Sequence, residues 1–441
     1  MISCNQQRED RNTQRVQNGF DNLIILSRAD PIICGHSTET RNLAEAAIQS
    51  GVQHVDIVSY PLDVLESSDL PLKPMTSVES YSQGITVWRP APVGDYKVLD
   101  GRLSYAISGQ IIDLLACRSG RTAIMNLYLV PHGQMVLQAV HAIRRFRETL
   151  LPRTIAEAVG SDITNVVSNA LSTTQFGAAA LVLQNYLEHD LPVAVSAFTR
   201  DLIVEAGRQI DEVMGTTFAF QLQERVQISY PALDTSAYLS PAINEVEQAG
   251  LLSKRGLVRD GYILFLSRLT NAKGVDDLIK AFQRSDFYGR LPLVICGTGP
   301  DEHAFQQLAA HDSAIRFFND VGDLDKLALM AGCHAYCLPS KPRKEFTETF
   351  GIAVVEAMLS AGIGPVITTR TGGIPEATGD HCIYHHAGDV NHLTACLNEV
   401  AKMPDHARAM LSQRARDYAC RFDRQSILAN LLNTSTAKTT V

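Results

Sequence analysis

Twice along this chain, short and almost uninterrupted apolar runs alternate with stretches of helical periodicity, and a polar, interrupted segment separates the two series. That rhythm confines the fold to parallel sheets made of strand–helix–strand units, because joining two parallel strands takes a long crossover, usually a helix. In the first series the strand candidates are 22–27, 54–59, 85–89, 123–130, 154–162, 193–196 and 226–230, with helices over 40–50, 102–117, 133–148, 175–189 and 198–223. The second series restarts at Tyr262–Ser267 and continues through 293–296, 315–318, 335–338 and 365–369, with helices at 275–282, 325–331 and from about 351. Runs such as YILFLS lack polar alternation, as expected of strands covered on both faces. Two α/β domains follow, at 21–235 and 261–400, with a linker over 236–260 and closing helices over 401–434.

Composition narrows the class. A hydrophobic content of 45% with 20% charged residues belongs to a globular chain that can build a core. Its net charge of −8, from 39 basic and 47 acidic residues, argues against a nucleic-acid partner. No apolar run approaches the roughly 18 residues of a membrane span, so no stable membrane insertion is expected. Residues 1–20 lack the apolar segment of a signal peptide and read as a loose tail, and the last seven residues as a frayed end. Nine cysteines occur without a CxxC pair or zinc-like spacing; Cys34, Cys296 and Cys337 lie in apolar runs, where a thiol acts as a small buried hydrophobe. A reducing, cytoplasmic setting is the expectation.

The most informative stretch runs from 345 to 376, EFTETFGIAVVEAMLSAGIGPVITTRTGGIPE. Two carboxylates, Glu348 and Glu356, flank the pair Phe350-Gly351; an apolar strand, the turn Gly372-Gly373 and a third carboxylate, Glu376, follow. For a nucleotide-sugar ligand this order makes chemical sense. Glu348, in the loop before a helix, can accept hydrogen bonds from sugar hydroxyls. The amides of Phe350, Gly351, Ile352 and Ala353 open that helix, the favoured place for a phosphate. Glu356, about a turn and a half on, can take both ribose hydroxyls. Upstream, Arg268 and Lys273 follow the strand ILFLS, five residues apart, at the end of a parallel strand where ligands collect. Two cations so placed can meet a diphosphate and stabilise the charge that grows as a sugar–phosphate bond breaks.

The run from Glu348 to Glu356 resembles the E-x7-E signature of retaining glycosyltransferases of the GT-B fold, family 4 in particular. The resemblance covers about 260–380 and implies two Rossmann-like domains with parallel sheets facing across a cleft, the second holding a UDP- or GDP-sugar. It implies that Glu348 orients the sugar and Glu356 the ribose, with Arg268 and Lys273 on the departing diphosphate. Gly297 and Gly299, in GTGP after a strand, would let the backbone approach the nucleobase; an ordinary tight turn is the other reading. Gly35 stands where the family carries a glycine pair near the donor diphosphate, although here its neighbour is Cys34. His132 either touches the donor sugar or its leaving phosphate, or simply opens a helix. Asp162 is either an acceptor contact or a helix cap, and Thr38, Glu39 or Thr40 are candidate caps.

Asp323-Leu-Asp325 looks like the metal-binding DxD of the other large glycosyltransferase fold, yet it opens a helix, where aspartates cap and complement the dipole. No metal or other cofactor is therefore expected, with the nucleotide sugar entering as substrate. The expected acceptor is a small soluble polyhydroxylated molecule: a sugar, cyclitol, aminocyclitol or sugar acid. A lipid acceptor is the less favoured reading, because the best basic stretch, Arg144-Arg145-Phe146-Arg147, is short. An epimerase or phosphorylase on the same fold, a polysaccharide transferase, and a non-catalytic nucleotide-sugar binder are the alternatives.

Overall fold

The two series form two separate parallel sheets. The structure, a computed structural model, describes residues 19–434 except 69, 95–100, 148–150, 241–242, 311, 344–345, 361 and 363. Most of the expected tail, residues 1–18, and the expected frayed end, 435–441, lie outside the described residues. The chain divides into one compact unit of Met1–Leu233 with Asp423–Val441 and a second of Asp234–Phe422.

In the first unit the strands are β1 (Asn22–Leu26), β2 (His54–Val58), β3 (Ile85–Trp88), β4 (Thr122–Asn126), β5 (Arg153–Ala158), β6 (Leu191–Ala194) and β7 (Gln227–Ile228). They lie in the order β3-β2-β1-β4-β5-β6-β7, every pair parallel. The central strand β1 shows why its apolar run is continuous. Leu23 and Ile25 pack with Leu43, Ala47 and Met125 on one face, while Ile24 and Leu26 pack with Ile107, Ile111 and Val140 on the other.

In the second unit β8 (Ile263–Leu266), β9 (Leu293–Cys296), β10 (Ile315–Phe318), β11 (Ala335–Leu338), β12 (Val366–Thr369) and β13 (Ile383–His385) take the order β10-β9-β8-β11-β12-β13. In each sheet the chain runs outward in both directions from a central strand. The crevices at the carboxyl ends of β1/β4 and β8/β11 are thus the topological switch points where open α/β sheets bind ligands.

Several boundaries differ from the sequence expectation, each for a local reason. The first helix spans Gly35–Gln49 rather than starting at residue 40, so Thr38, Glu39 and Thr40 lie inside it and cap nothing. The long helix over 198–223 breaks at Gly215, whose left-handed φ of 65° ends Ala197–Met214 before Phe218–Arg225 begins. Much of the expected linker is helical, with Thr235–Leu239 and Glu245–Lys254; the latter opens on a capping box between Asn244 and Glu247. Of the closing helices, Asp405–Ala419 stays in the second unit and only Arg424–Asn433 belongs to the first. There Ile427, Leu428, Leu431 and Leu432 join the core beneath β1, and Arg153 donates to the carbonyl of Leu432 at 2.6 Å. Cys296 and Cys337 are buried as expected, whereas Cys34 is half-buried.

Candidate functional site

Two loops meet at the carboxyl end of β8. The first leaves the strand through Ser267 and Arg268 and makes a short helical turn, Asn271–Lys273. Gly274 then turns the chain into the helix Val275–Phe282 with φ of 73°, and a Cβ there would stand 2.1 Å from the carbonyl oxygen of Pro339. The backbone amide of Lys341 reaches back to the Ala272 carbonyl at 2.9 Å, while its ammonium binds Asp276 and Asp277, each at 2.8 Å. The loop carrying Lys273 is thereby sewn to the end of β11.

The second loop holds Glu348. Lys273 is only 7% exposed, and its ammonium forms an ion pair with Glu348. Lys273 and Arg268 both face the Phe346 ring, at 5.3 and 6.0 Å from its centroid. Arg268 is exposed and has no carboxylate partner among the described residues. The structure thus brings the two cations and the first glutamate together.

The turn Gly372-Gly373 lies directly under the glutamate loop. The amide of Gly373 donates to the Glu348 carbonyl at 2.9 Å, and a Cβ on Gly373 would stand 1.9 Å from the oxygen of Thr349. Phe350, 2% exposed, anchors the loop edge-to-face on Phe422 with centroids 5.1 Å apart. Gly351 follows with φ of 103°, and Ile352–Leu359 opens without a side-chain cap, leaving its first amides to a ligand or solvent. Gly297 and Gly299 allow two loops to lie close together. A Cβ at either would stand 2.0 Å from the Ser267 oxygen and 2.3 Å from the Leu269 oxygen respectively, so both let the β9 loop lie against the loop that bears Arg268.

Glu356 is 6% exposed and has two partners that sequence reasoning missed. Lys326, on the helix Asp323–Gly332, forms an ion pair with Glu356, and the Tyr238 hydroxyl also hydrogen-bonds to it. A carboxylate accepts about four hydrogen bonds, so two positions remain for a ligand's hydroxyls. Nothing in the local spacing links these residues, which lie far apart in sequence. Asp325 is paired with Arg255 at 2.8 Å, and no group of three or more His, Cys, Asp or Glu among the described residues could hold a metal ion.

The remaining candidates belong to the first unit. Gly35 opens the helix Gly35–Gln49 and is exposed. His132 is 1% exposed in a helical turn after β4, with Nε2 3.0 Å from the Tyr60 hydroxyl and Nδ1 buried without a partner. Burial first, then the neighbouring Arg28 and His36, lower its pKa to about 3, so the ring is neutral at pH 7. Asp162 is fully buried, and its two oxygens accept from the amides of Leu129, Val159, Gly160 and Ile163 at 3.0–3.4 Å. Its lone pairs are thus occupied in joining two loops, and burial raises its pKa to about 6. Glu39, expected as a helix cap, instead shares a hydrogen bond with Glu157 in the interior and accepts from the Ala232 amide at 3.1 Å. Burial raises its pKa to about 7, and that of Glu157 rises as well.

Comparison with known proteins agrees with this geometry. Residues 253–418 match the family model described as glycosyl transferases group 1. The chain is 26% identical over 189 residues to O-antigen chain mannosyltransferase B of Escherichia coli, covering 42% of this chain and 48% of that protein. It is 24% identical over 182 residues to 2-deoxystreptamine N-acetyl-D-glucosaminyltransferase of Niallia circulans, covering 40% and 45%. The chain thus spans about half the length of the curated relatives it matches. Its fold is similar to that of Anabaena Alr3699/HepE in complex with UDP and glucose, with a TM-score of 0.65 at 16% identity over 93% of this chain and 98% of that one. Residues 253–418, which carry both glutamates and both cations, thus match the model of group 1 glycosyl transferases, and the two units have the Rossmann-like parallel sheets of the GT-B fold.

Proposed function

We propose that this chain is a retaining glycosyltransferase that moves a sugar from a UDP- or GDP-sugar to a hydroxyl of a small, soluble, polyhydroxylated acceptor, without a metal. The observation that carries the reading is the Lys273–Glu348 pair beside the unneutralised Arg268, at the carboxyl end of the central strand β8. When a donor enters, its diphosphate takes up Arg268 and Lys273, and Glu348 turns to the sugar hydroxyls. The bond between the anomeric carbon and the diphosphate oxygen breaks, and the electron pair leaves with the nucleoside diphosphate that the two cations stabilise. The acceptor oxygen bonds to the anomeric carbon from the same side, and its proton passes to the departing phosphate oxygen. A curated relative named for an aminocyclitol acceptor supports the small-acceptor reading, while another is named for an O-antigen chain. A lipid acceptor is favoured by relatives named as phosphatidylinositol mannosyltransferases and by Phe146, 80% exposed among Arg144, Arg145 and Arg147. Binding to anionic vesicles would decide for it.

Glu356 gives the test of the donor assignment. Glu356→Gln keeps the shape but weakens acceptance of the ribose hydroxyls and removes the charge facing Lys326. Ribose contacts are made in ground and transition states alike, so the loss should appear as a donor KM raised by about tenfold or more with kcat nearly unchanged. An unchanged affinity for both UDP- and GDP-sugars would overturn the assignment.

A further inference from the structure

The switch point of the first sheet holds a cation that the reaction above does not use. Arg28 stands two residues beyond β1, at the β1/β4 crevice. Its guanidinium carbon lies 4.9 Å from the centroid of the Tyr128 ring, one terminal nitrogen is 3.5 Å from His36 Nδ1, and its Nε is buried with no hydrogen-bond partner. None of the described carboxylates pairs with it. Asp30, two residues on, is already held by Arg41 at 2.8 Å, Tyr81 at 2.8 Å, Ser37 at 3.4 Å and Lys73 at 3.8 Å. Asp162 is saturated by four backbone amides, and Glu39 and Glu157 face each other in the interior. His132 is neutral and brings no counter-charge.

A partly buried guanidinium with an unbonded Nε–H and no counterion is prepared to bind an oxyanion through charge-assisted N–H bonds. The surroundings add to this preference. The helix Gly35–Gln49 opens at the same crevice with no side-chain cap and no acid in its first turn, so its dipole also favours negative charge. The hydroxyls of Tyr60, Tyr128 and Ser161 line the same strand ends, with Ser161 donating to the Tyr128 hydroxyl at 3.2 Å. Hydroxyl groups beside a lone cation suit a polyol that also carries an acidic group.

Resting on the glycosyltransferase reading, we propose that Arg28 anchors an oxyanion of the acceptor, a carboxylate or a phosphate ester, and that the natural acceptor is an acidic polyhydroxylated molecule. The same charge chemistry could serve the donor's diphosphate instead, and the experiment separates the two sources.

Binding is measured by titration calorimetry on the full chain with glucose 6-phosphate, glucuronate and neutral glucose, each with saturating UDP, and separately with UDP alone. The wild type should bind one or both acidic sugars about tenfold or more tighter than glucose, the scale of a charge-assisted contact. Arg28→Gln should erase that preference and leave UDP affinity within about twofold, while Arg28→Lys should keep part of it. Thermal unfolding of both variants near the wild-type temperature excludes a folding defect as the cause. No preference for acidic sugars in the wild type, or a preference that survives in Arg28→Gln, would overturn the proposal. So would a loss confined to UDP, which would assign Arg28 to the donor. An acidic preference lost in Arg28→Gln but without any UDP binding would keep the oxyanion subsite and sink the glycosyltransferase reading instead.

Discussion

Lys273→Ala should lower kcat by about 10²–10³, the scale for losing one preorganised group that meets developing negative charge. Lys273 is 7% exposed and its ammonium is held on Glu348, so the cation is already in place when the diphosphate arrives and exchanges one anionic partner for another. Two effects act together in this variant. The departing diphosphate loses a cation, and Glu348, itself mostly buried, loses the partner that sets its position. Steady-state kinetics with thermal unfolding as a control separates them: the melting temperature should fall by a few degrees while turnover nearly vanishes. Near-full turnover in this variant would remove Lys273 from the reaction.

Gly373→Ala should be almost as damaging, although the residue carries no functional group. The added Cβ would stand 1.9 Å from the Thr349 oxygen and 3.0 Å from the Phe350 nitrogen, both backbone atoms that cannot swing aside. The loop bearing Glu348 must then move, and a displacement of about 1 Å at a reacting centre costs about 10² in kcat/KM. Relief of the overlap should cost about 1–3 kcal/mol in stability. Gly109→Ala is the control: it lies within the helix Arg102–Cys117, a Cβ there meets nothing within 4 Å, and stability should hold or rise slightly. A Gly373→Ala enzyme with wild-type kcat/KM would mean that the glycine turn does not set the loop.

The outline of both sheets was legible because β1 is covered on both faces and Ile263, Leu264 and Phe265 of β8 are wholly buried, and such strands announce themselves as unbroken apolar runs. The short edge strand β13 escaped notice: Ile383–His385 is three residues long and is followed by a second histidine, too brief for a period to show. Helix ends were misplaced where glycine or a capping box decided them, at Gly35, Gly215 and Asn244. At the site, the order of Arg268, Lys273, Glu348 and Glu356 was readable because the first three lie in loops that follow the apolar strands β8 and β11, and Glu356 in the helix that comes next. Lys326 and Tyr238 were not, since side chains that meet only through tertiary packing leave no periodic trace. Gly297 and Gly299 were readable as room for a nucleobase or as a tight turn, and the close approach of the neighbouring loop to both left no trace in the sequence. Asp162 was readable either as an acceptor contact or as a helix cap, and its four backbone amides, that of Ile163 among them, put it nearer the second.

The central claim is that the two cations and two glutamates of the second unit move a sugar from a nucleotide to an acceptor. It is tested most directly by measuring free nucleoside diphosphate from UDP-glucose and from GDP-mannose, in EDTA, with and without a pool of neutral and acidic polyols. Diphosphate release from one donor should rise with acceptor, persist in the chelator and be matched mole for mole by a new glycoside. Donor consumption at the same rate without any acceptor, or release abolished by EDTA and restored by manganese, would contradict it.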